Sequence, residues 1–560
     1  MSYEYDQNGN LKEVTTSRAT KSFTYNSNNE VESSIYPVTE IKNMLTSYSY
    51  TADGDVDIIT KQSGRQINYD DAKQNKDTYT YSKNADGTSA ETTNYGSSPD
   101  NTSSLFSSSR LLDKANKPKE IKYVKDGVEF DKWSYDYDLN GNIDKEYRNG
   151  VLTEYKYDAI NQLEKEIYSD GTVLSYTYDE VGNRKTKVST VNGVSTTEAT
   201  FTYNLANQIL TKNGFTYTYD DDGNLLKDEN YDYVYDVAGR LAEVKKHDGT
   251  LVASYEYDEN GLRTKKIVGN IETEYYYSNN ILTLESIKDT TLDRIVELHE
   301  FNYDKNANVA SMIQTLVSED GSKTTNLYYY ITNHRGDAVK ILDSNKVVVA
   351  EYSYDAFGNI LSQTGILAET NPIRYAGYYY DSETKHYYLK ARYYDPVNGN
   401  FQSLDPHPGD SDDLLSQNGY TYAANNPVMM VDPDGDMPWF ILVGISNAIK
   451  AGLLEFLIYT VEVRLRITKL NYSDMARRVG TAALVGIVSG GIGFGMVNRH
   501  AGLLKFALKN NYLTKREATY VNYILFAQYK ILTSISNYFN SHRGTRTWGS
   551  YLTGIFNRIF

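Results

Sequence analysis

The stretch Tyr135-Asp136-Tyr137-Asp138-Leu139-Asn140-Gly141-Asn142-Ile143 defines a pattern that recurs through the chain with few changes. Between positions 138 and 258, the Asp or Asn residues that follow each aromatic pair lie 16 to 25 residues apart. This irregular spacing is too short for most helical repeats and is typical of a strand–turn–strand unit. Further copies begin at Tyr155, Tyr176, Phe201, Tyr217, Tyr233, Tyr255 and Tyr352.

Each copy carries the residues that a β-hairpin needs. Tyrosines two positions apart lie on the same face of a strand, so Tyr135 and Tyr137 place two rings on one side. The carboxylate of Asp138 is suited to bind backbone N–H groups of the turn, and Gly141 supplies the positive φ that closes it. Neighbouring hairpins then pair tyrosine with tyrosine across strands, which favours one large antiparallel sheet.

The composition agrees with a mainly β fold. The chain has 560 residues, of which 54 are Tyr, 16 are Phe and 3 are Trp, and an amphipathic ring suits a half-buried strand. The absence of cysteine excludes a disulfide framework, a thiolate zinc site, an iron–sulfur cluster and a cysteine nucleophile. The run of Ser, Pro, Asp and Asn between Ser97 and Ser109 predicts a long exposed loop.

Charge divides the chain into two parts. Residues 437–560 contain 15 Lys+Arg and 4 Asp+Glu, whereas residues 1–436 contain 42 Lys+Arg and 69 Asp+Glu. Tyrosine divides in the same way, with 46 of the 54 residues before position 437. We therefore predict a domain boundary near 436/437, with a basic segment attracted to an acidic one. The alternative is two unrelated domains whose charges differ by chance.

The repeated pattern resembles the YD repeats of bacterial Rhs proteins, wall-associated WapA-type proteins, Tc-toxin C components and teneurins. The resemblance covers about residues 1–436 and is most specific near its end. Tyr387-Tyr388-Leu389-Lys390-Ala391-Arg392-Tyr393-Tyr394-Asp395-Pro396 and Gly399-Asn400-Phe401-Gln402-Ser403-Leu404-Asp405-Pro406 are close to the Rhs-associated core signature. Further matching segments are residues 328–337, 374–381, 418–422, 425–428 and 431–435.

The resemblance implies a β-sheet strip that spirals into a shell, complete or incomplete in this chain, around a variable C-terminal toxin. It implies a YD-repeat array in residues 1–320 and an Rhs-associated core in 321–436. The charge and hydrophobic pattern of 437–560 then predict a basic, mostly α-helical cargo domain. The resemblance also implies a secreted, cell-surface or cell-wall location and an immunity protein that protects the producing cell. Because Met1–Asp6 already carries the repeat and lacks signal-peptide features, we expect the chain to begin inside a longer array.

By the same resemblance, the core is a self-cleaving aspartyl protease. Asp405 and Asp432 match its two aspartates, Arg392 matches its upstream arginine, and the cut falls between Asp436 and Met437. Such chemistry needs two carboxylates that share one proton, with a guanidinium to hold the ionised partner or stabilise an oxyanion. The chain departs from the family pattern because Asp436 replaces the usual Leu, and an acidic residue there is expected to slow cleavage.

Residues 437–560 are predicted to be largely helical, with apolar or amphipathic runs that include 439–445 and 479–497. Residues 479–498 lack charge and contain Gly486-x-x-x-Gly490 and Gly491-x-x-x-Gly495, a spacing that lets membrane helices pack closely. Three interpretations stay open for this run: a membrane-inserting segment of a pore-forming toxin, a flexible stretch that helps packing and threading, or a buried helical hairpin.

A catalytic cargo would place its polar groups near the C-terminus. His542, Arg543 and Arg546 are the candidates there, together with His500, and the positive charge suits nucleic acid and metal-free nuclease chemistry. We predict no cofactor and no metal site. The target of the cargo, whether membrane or nucleic acid, stays open.

A second function remains compatible with the sequence. A cell-surface adhesion protein would use its tyrosine array to bind carbohydrate or another cell and would anchor itself through the apolar tail. A tail that separates and stops growth distinguishes the toxin from this alternative. A third interpretation is a decayed, inactive cassette.

Overall fold

The fold is described from a computed structural model. The residues that it describes are 2–6, 11–15, 20–26, 31–39, 42–50, 56–64, 73–83, 88–95, 105–115, 117–278, 280–304, 308–406, 415, 417–435 and 439–440. They belong to one of two compact units, which comprises Met1–Gly409 and Leu415–Ile441.

Long antiparallel meanders dominate the described residues, because each hairpin pairs with the next along the chain. The first sheet has 19 strands. They are β1 (Ser2–Tyr5), β2 (Leu11–Thr15), β3 (Thr20–Tyr25), β4 (Val31–Thr39), β5 (Lys42–Tyr50), β6 (Val56–Gly64), β7 (Lys73–Lys83), β8 (Ser89–Tyr95), β9 (Phe106–Leu112), β10 (Pro118–Lys125), β11 (Val128–Tyr137), β12 (Ile143–Arg148), β13 (Val151–Tyr157), β14 (Leu163–Tyr168), β15 (Val173–Tyr178), β16 (Arg184–Val191), β17 (Val194–Tyr203), β18 (Ile209–Lys212) and β19 (Phe215–Thr216).

A second meander of 14 strands follows. Its strands are β20 (Thr218–Tyr219), β21 (Leu225–Lys227), β22 (Asp232–Tyr235), β23 (Leu241–Lys245), β24 (Leu251–Tyr257), β25 (Arg263–Val268), β26 (Ile271–Ser278), β27 (Ile281–Asp289), β28 (Arg294–Tyr303), β29 (Val309–Val317), β30 (Lys323–Thr332), β31 (Ala338–Asp343), β32 (Val348–Tyr354) and β33 (Ile360–Thr364). This sheet crosses the predicted 320/321 boundary without a break, and the three predicted domains stay predictions.

The remaining described elements are small. A four-stranded sheet contains β34 (Tyr379–Asp381), β35 (His386–Tyr388), β36 (Tyr393–Asp395) and β37 (Asn400–Phe401), and β38 (Met430–Val431) pairs with β39 (Trp439–Phe440). Two 3₁₀ turns span Tyr375–Gly377 and Ala423–Asn425. In the part of the chain that is described, no helix is long and apolar enough to cross a membrane.

The turn of the repeat follows the predicted chemistry. In the copy that begins at Tyr135, the Gly141 N–H donates to the Asp138 carbonyl at 3.0 Å, and the Asp138 N–H donates to the Asn142 carbonyl at 2.8 Å. The Asp138 carboxylate accepts the Asn142 N–H at 2.9 Å, and Gly141 has a φ of +87°. The prediction of repeated Tyr-Asp hairpins is therefore confirmed.

The two tyrosines of each copy have different roles. The first ring is buried, as for Tyr155 at 5% exposure, and the second is half-buried. In most copies the second hydroxyl donates to the carbonyl that begins the return strand of the preceding hairpin. Examples are Tyr157 to Ile143 at 2.7 Å, Tyr178 to Leu163 at 2.8 Å, Tyr203 to Arg184 at 2.8 Å and Tyr257 to Leu241 at 2.7 Å. Each of these four units is thus bonded to its predecessor by a side chain as well as by the strand ladder.

Two predictions of local structure are wrong. Residues 106–109 are not part of an exposed loop, because β9 pairs with β8 and β10 and Phe106 stacks on Tyr95 with ring centroids 4.6 Å apart. This burial of an aromatic anchor outweighs the polar serines that follow it. Trp439 and Phe440 are not helical, because they pair with Val431 and Met430. Most of the predicted loop, and the predicted cargo at 437–438 and 441–560, lie outside the described residues.

A buried ion cluster joins the second sheet to the four-stranded sheet. Asp381 on β34 is completely buried and binds Arg263 Nη1 at 2.5 Å, Arg263 Nη2 at 3.1 Å and Lys266 Nζ at 2.8 Å. Five tyrosine rings lie within 5.9 Å of the Arg263 guanidinium carbon: Tyr255, Tyr275, Tyr379, Tyr388 and Tyr393. Although burial opposes ionisation, these two cations hold the pKa of Asp381 below its usual value.

A buried histidine predicts how stability depends on pH. His299 on β28 lies between Glu285 and Glu297, with both nitrogen–oxygen distances at 2.6 Å. Burial alone would lower the pKa of His299, but these two carboxylates raise it to about 9. Since the folded pKa lies above the unfolded one, this stabilisation is complete below about pH 6.5 and is lost as the pH rises through about 9.

We therefore expect the free energy of unfolding of the wild-type chain to fall by up to about 3 kcal/mol more than that of His299→Gln between pH 6 and pH 9. Urea denaturation of both proteins at several pH values measures the difference. Equal pH dependence in the two proteins would contradict the assignment.

Candidate active site

The structure brings together the three residues that the sequence singles out. Arg392 Nη2 lies 2.8 Å from Asp405 Oδ2 and 3.4 Å from Asp432 Oδ2. The side chains of Arg392, Asp405 and Asp432 are 2%, 15% and 0% exposed. One guanidinium nitrogen therefore bridges two largely buried carboxylates that are 27 residues apart in sequence.

The Arg392 guanidinium is fixed on several sides. Its Nη1 donates to the Gly419 carbonyl at 2.9 Å, and its Nε donates to the Gly435 carbonyl. The guanidinium carbon lies 3.6 Å from the centroid of the Phe401 ring, which gives a cation–π contact. These contacts orient the planar group so that Nη2 faces the two aspartates.

Asp432 is held by a pair of tyrosines that the sequence did not single out for this role. Its backbone N–H donates to the Tyr378 hydroxyl at 2.9 Å, and the Tyr378 and Tyr422 hydroxyl oxygens are 3.0 Å apart. Burial holds the pKa of Tyr378 well above its usual value, so the phenol stays protonated. The only sequence signal was that both tyrosines lie inside the core signature.

Gly435 ends the turn that follows Asp432. Its N–H donates to Asp432 Oδ1 at 2.9 Å, and its φ is +77°. A Cβ at this position would lie 2.7 Å from the Leu389 carbonyl oxygen and 3.0 Å from the Arg392 nitrogen. The Ala391 N–H also donates to the Asp434 carbonyl at 3.0 Å. Only glycine lets the turn pack this closely against the backbone that carries Arg392.

Residues before the predicted cleavage site pair with residues after it in a short antiparallel ladder. Met430 pairs with Phe440, and Val431 pairs with Trp439, so β38 and β39 form a short antiparallel ladder. Asp432 follows β38 directly. Asp436 and Met437 lie outside the described residues, as do His500, His542, Arg543 and Arg546.

Residues 418–430, which we call the docking segment, fix the site to the turns of the first two sheets. Asparagine and tyrosine side chains make these contacts. They are Asn418 Nδ2 to Asn183 Oδ1 at 2.7 Å, the Tyr420 hydroxyl to the Gly223 carbonyl at 2.7 Å, Asn425 Nδ2 to the Gly182 carbonyl at 2.6 Å and Asn426 Nδ2 to Asn142 Oδ1 at 3.0 Å. The segment therefore sets the positions of Gly419 and Asp432 from several hairpins at once.

The site contains two carboxylates and one guanidinium. Among the described residues, no group of three or more His, Cys, Asp or Glu side chains is arranged to hold a metal ion. The arrangement is suited to proton transfer between two acids, with a fixed cation beside them.

Serial Tyr-Asp hairpins, followed by a core that docks on their turns, define an Rhs/YD-repeat protein. The Teneurin YD-shell family matches residues 88–428, which is well over half of the chain. The chain belongs to this family.

Two curated relatives are nucleases of Bacillus that are named WapA. The tRNA3(Ser)-specific nuclease WapA of Bacillus spizizenii and the tRNA nuclease WapA of Bacillus subtilis are each 38% identical to this chain over 288 residues. The match covers 51% of this chain and 12% of each relative. This chain therefore corresponds to a small part of those proteins.

Solved Tc-toxin structures share the fold at low sequence identity. The Tc holotoxin pore of Photorhabdus luminescens matches with a TM-score of 0.51 and 17% identity over 78% of this chain and 27% of that chain. A TcdB2-TccC3-Cdc42 structure matches with a TM-score of 0.50 and 17% identity over 77% of this chain and 27% of that chain. These likenesses concern the fold alone.

Proposed function

We propose that this chain is the shell segment of a secreted or wall-associated polymorphic toxin, and that it cleaves itself between Asp436 and Met437 to free residues 437–560 as cargo. The observation that carries the proposal is the Arg392 nitrogen that lies within 3.4 Å of both Asp405 and Asp432. The β38–β39 ladder supports it, because the ladder holds the chain on both sides of the junction next to Asp432.

The reaction is a hydrolysis. A water oxygen bonds to the carbonyl carbon of Asp436, and the bond from that carbon to the Met437 nitrogen breaks. One carboxylate takes a proton from the water, and the other carboxyl gives a proton to the leaving nitrogen. The products are a new carboxyl terminus at Asp436 and a new amino terminus at Met437.

The surroundings favour different roles for the two aspartates. Arg392 balances one carboxylate charge, and it lies closer to Asp405, at 2.8 Å, than to Asp432, at 3.4 Å. Asp432 is also completely buried, and burial disfavours the charged form of a carboxyl, so we assign the proton of the pair to Asp432. Asp405 is then the base that activates the water, and Asp432 is the acid that polarises the carbonyl and protonates the leaving nitrogen.

Charge supports a shell and cargo relationship. Residues 1–436 are strongly acidic and residues 437–560 are basic, so the two parts attract each other before cleavage. The nuclease names of the WapA relatives make nucleic acid one candidate target of the cargo, and a membrane is the other. An immunity protein that binds the cargo is the expected partner in the producing cell.

Cell-free synthesis of the full chain tests this function. We expect the 560-residue product to convert with time into two fragments, and the smaller one to begin at Met437 on N-terminal sequencing. Addition of purified wild-type protein should leave the rate unchanged, because the reaction is intramolecular. A product that keeps its intact mass, or a small fragment with another N-terminus, would overturn the proposal.

A further inference from the structure

A small cavity lies beside the segment that carries Arg392. Its volume is about 20 Å³, and its walls include Tyr235, Arg240, Arg392, Gln402 and Ser403. A buried water needs roughly 10–15 Å³ of such space and two or more polar partners. The cavity therefore has room for one water molecule in an otherwise closely packed region.

Two polar atoms of the cavity walls lack a partner among the described residues. They are the Tyr235 hydroxyl oxygen and Gln402 Oε1, and both atoms are buried. The other end of the Gln402 amide is occupied, since Nε2 lies 3.1 Å from His386 Nδ1. A buried hydroxyl or amide oxygen that bonds to nothing is costly, so these atoms indicate a missing partner.

Comparison with the other repeats shows that Tyr235 is unusual. Tyr178 and Tyr257, at the same position of their units, donate to the carbonyl that begins the preceding return strand. For Tyr235 that carbonyl belongs to Leu225, but the Tyr235 hydroxyl makes no bond among the described residues. The Leu225 N–H donates to the Gln402 carbonyl at 2.9 Å, which places Gln402 beside this strand. The usual tyrosine bond is therefore absent at Tyr235, where Gln402 contacts the strand and the cavity lies.

We infer that the cavity binds a water molecule between the Tyr235 hydroxyl and Gln402 Oε1, and that this water supplies the self-cleavage reaction. The second part rests on the proposed function. Hydrolysis consumes one water, while the side chains of Asp432, Arg392 and Asp405 are 0%, 2% and 15% exposed, so bulk water has little access to the pair. Arg392 belongs both to the cavity wall and to the aspartate pair, and Ser403 in the same wall is two residues before Asp405.

The test compares two Tyr→Phe variants in cell-free synthesis time courses. Tyr235→Phe is expected to slow cleavage about tenfold and to lower Tm less than its control does. Tyr178→Phe is the matched control, because its hydroxyl bonds to a protein carbonyl at 2.8 Å. It should lower Tm and cleave at the wild-type rate.

A second measurement does not depend on cleavage. A high-resolution crystal structure of the full-length Asp432→Asn chain should show a water within hydrogen-bond distance of Tyr235 and Gln402, and the Tyr235→Phe, Asp432→Asn double variant should lack it. An empty cavity, or a Tyr235→Phe rate equal to wild type, overturns the inference and leaves the proposed function standing. A wild-type chain that stays intact overturns the proposed function and the role of this water together.

Discussion

Asp432→Asn is expected to leave the chain intact under conditions in which the wild-type chain yields two fragments. The substitution keeps the size of the side chain and an oxygen that can accept the Gly435 N–H, now at 2.9 Å. It removes the proton donor, and general acid–base catalysis contributes about 10²–10⁴-fold to rate, so we expect a loss of about 100-fold or more. Intact mass and gel analysis over a time course measure the loss.

Two further variants make this result specific. Asp405→Asn should block cleavage to a similar extent, because Asp405 is the proposed base. Asp434→Asn is the control from the same turn, since its backbone carbonyl rather than its carboxylate bonds to Ala391. This control should cleave at close to the wild-type rate. Cleavage of Asp432→Asn as fast as Asp434→Asn would show that the aspartate pair is not the catalyst.

Asp381→Ala is expected to cause the largest loss of stability, about 3–5 kcal/mol in the free energy of unfolding. The change leaves the completely buried Arg263 and the largely buried Lys266 without their shared carboxylate. Because the pKa of Asp381 is lowered in the folded state, its stabilisation is present above its unfolded pKa and is lost as the pH falls through the folded value. Urea denaturation at neutral pH measures the effect.

Glu243→Ala is the control for this loss. Glu243 pairs with Lys245 at 2.5 Å, but the side chains of Glu243 and Lys245 are 38% and 34% exposed. Such surface pairs contribute less than about 1 kcal/mol. Similar losses for Asp381→Ala and Glu243→Ala would mean that the buried cluster does not hold the two sheets together.

Local chemistry explains why the repeats could be predicted. With this spacing, Asp138 and Gly141 favour one local conformation, a hairpin turn, and the structure contains that turn. Phe106 shows the limit of such reasoning. Its serine-rich surroundings indicate a loop, and only the pairing of β9 with two neighbouring strands makes it part of the core.

The sequence predicted the charged residues of the candidate site but not the neutral residues around them. Arg392, Asp405 and Asp432 stand in a signature that can be recognised along the chain. Tyr378 acts through its hydroxyl on the Asp432 backbone, 54 residues away, in a chain where tyrosine is too common to attract notice. The cavity beside Tyr235 depends on the absence of a bond that its repeat relatives make, which is visible only in three dimensions.

The docking segment has a consequence for how such chains change in evolution. A tyrosine hydroxyl that reaches back one hairpin constrains only its immediate neighbour, whereas the docking segment bonds to several hairpins at once. The docking segment fixes the number of hairpins between Asn142 and Gly223, because its Asn426 bonds to Asn142 and its Tyr420 bonds to Gly223. Related proteins should therefore conserve the number of hairpins within this span.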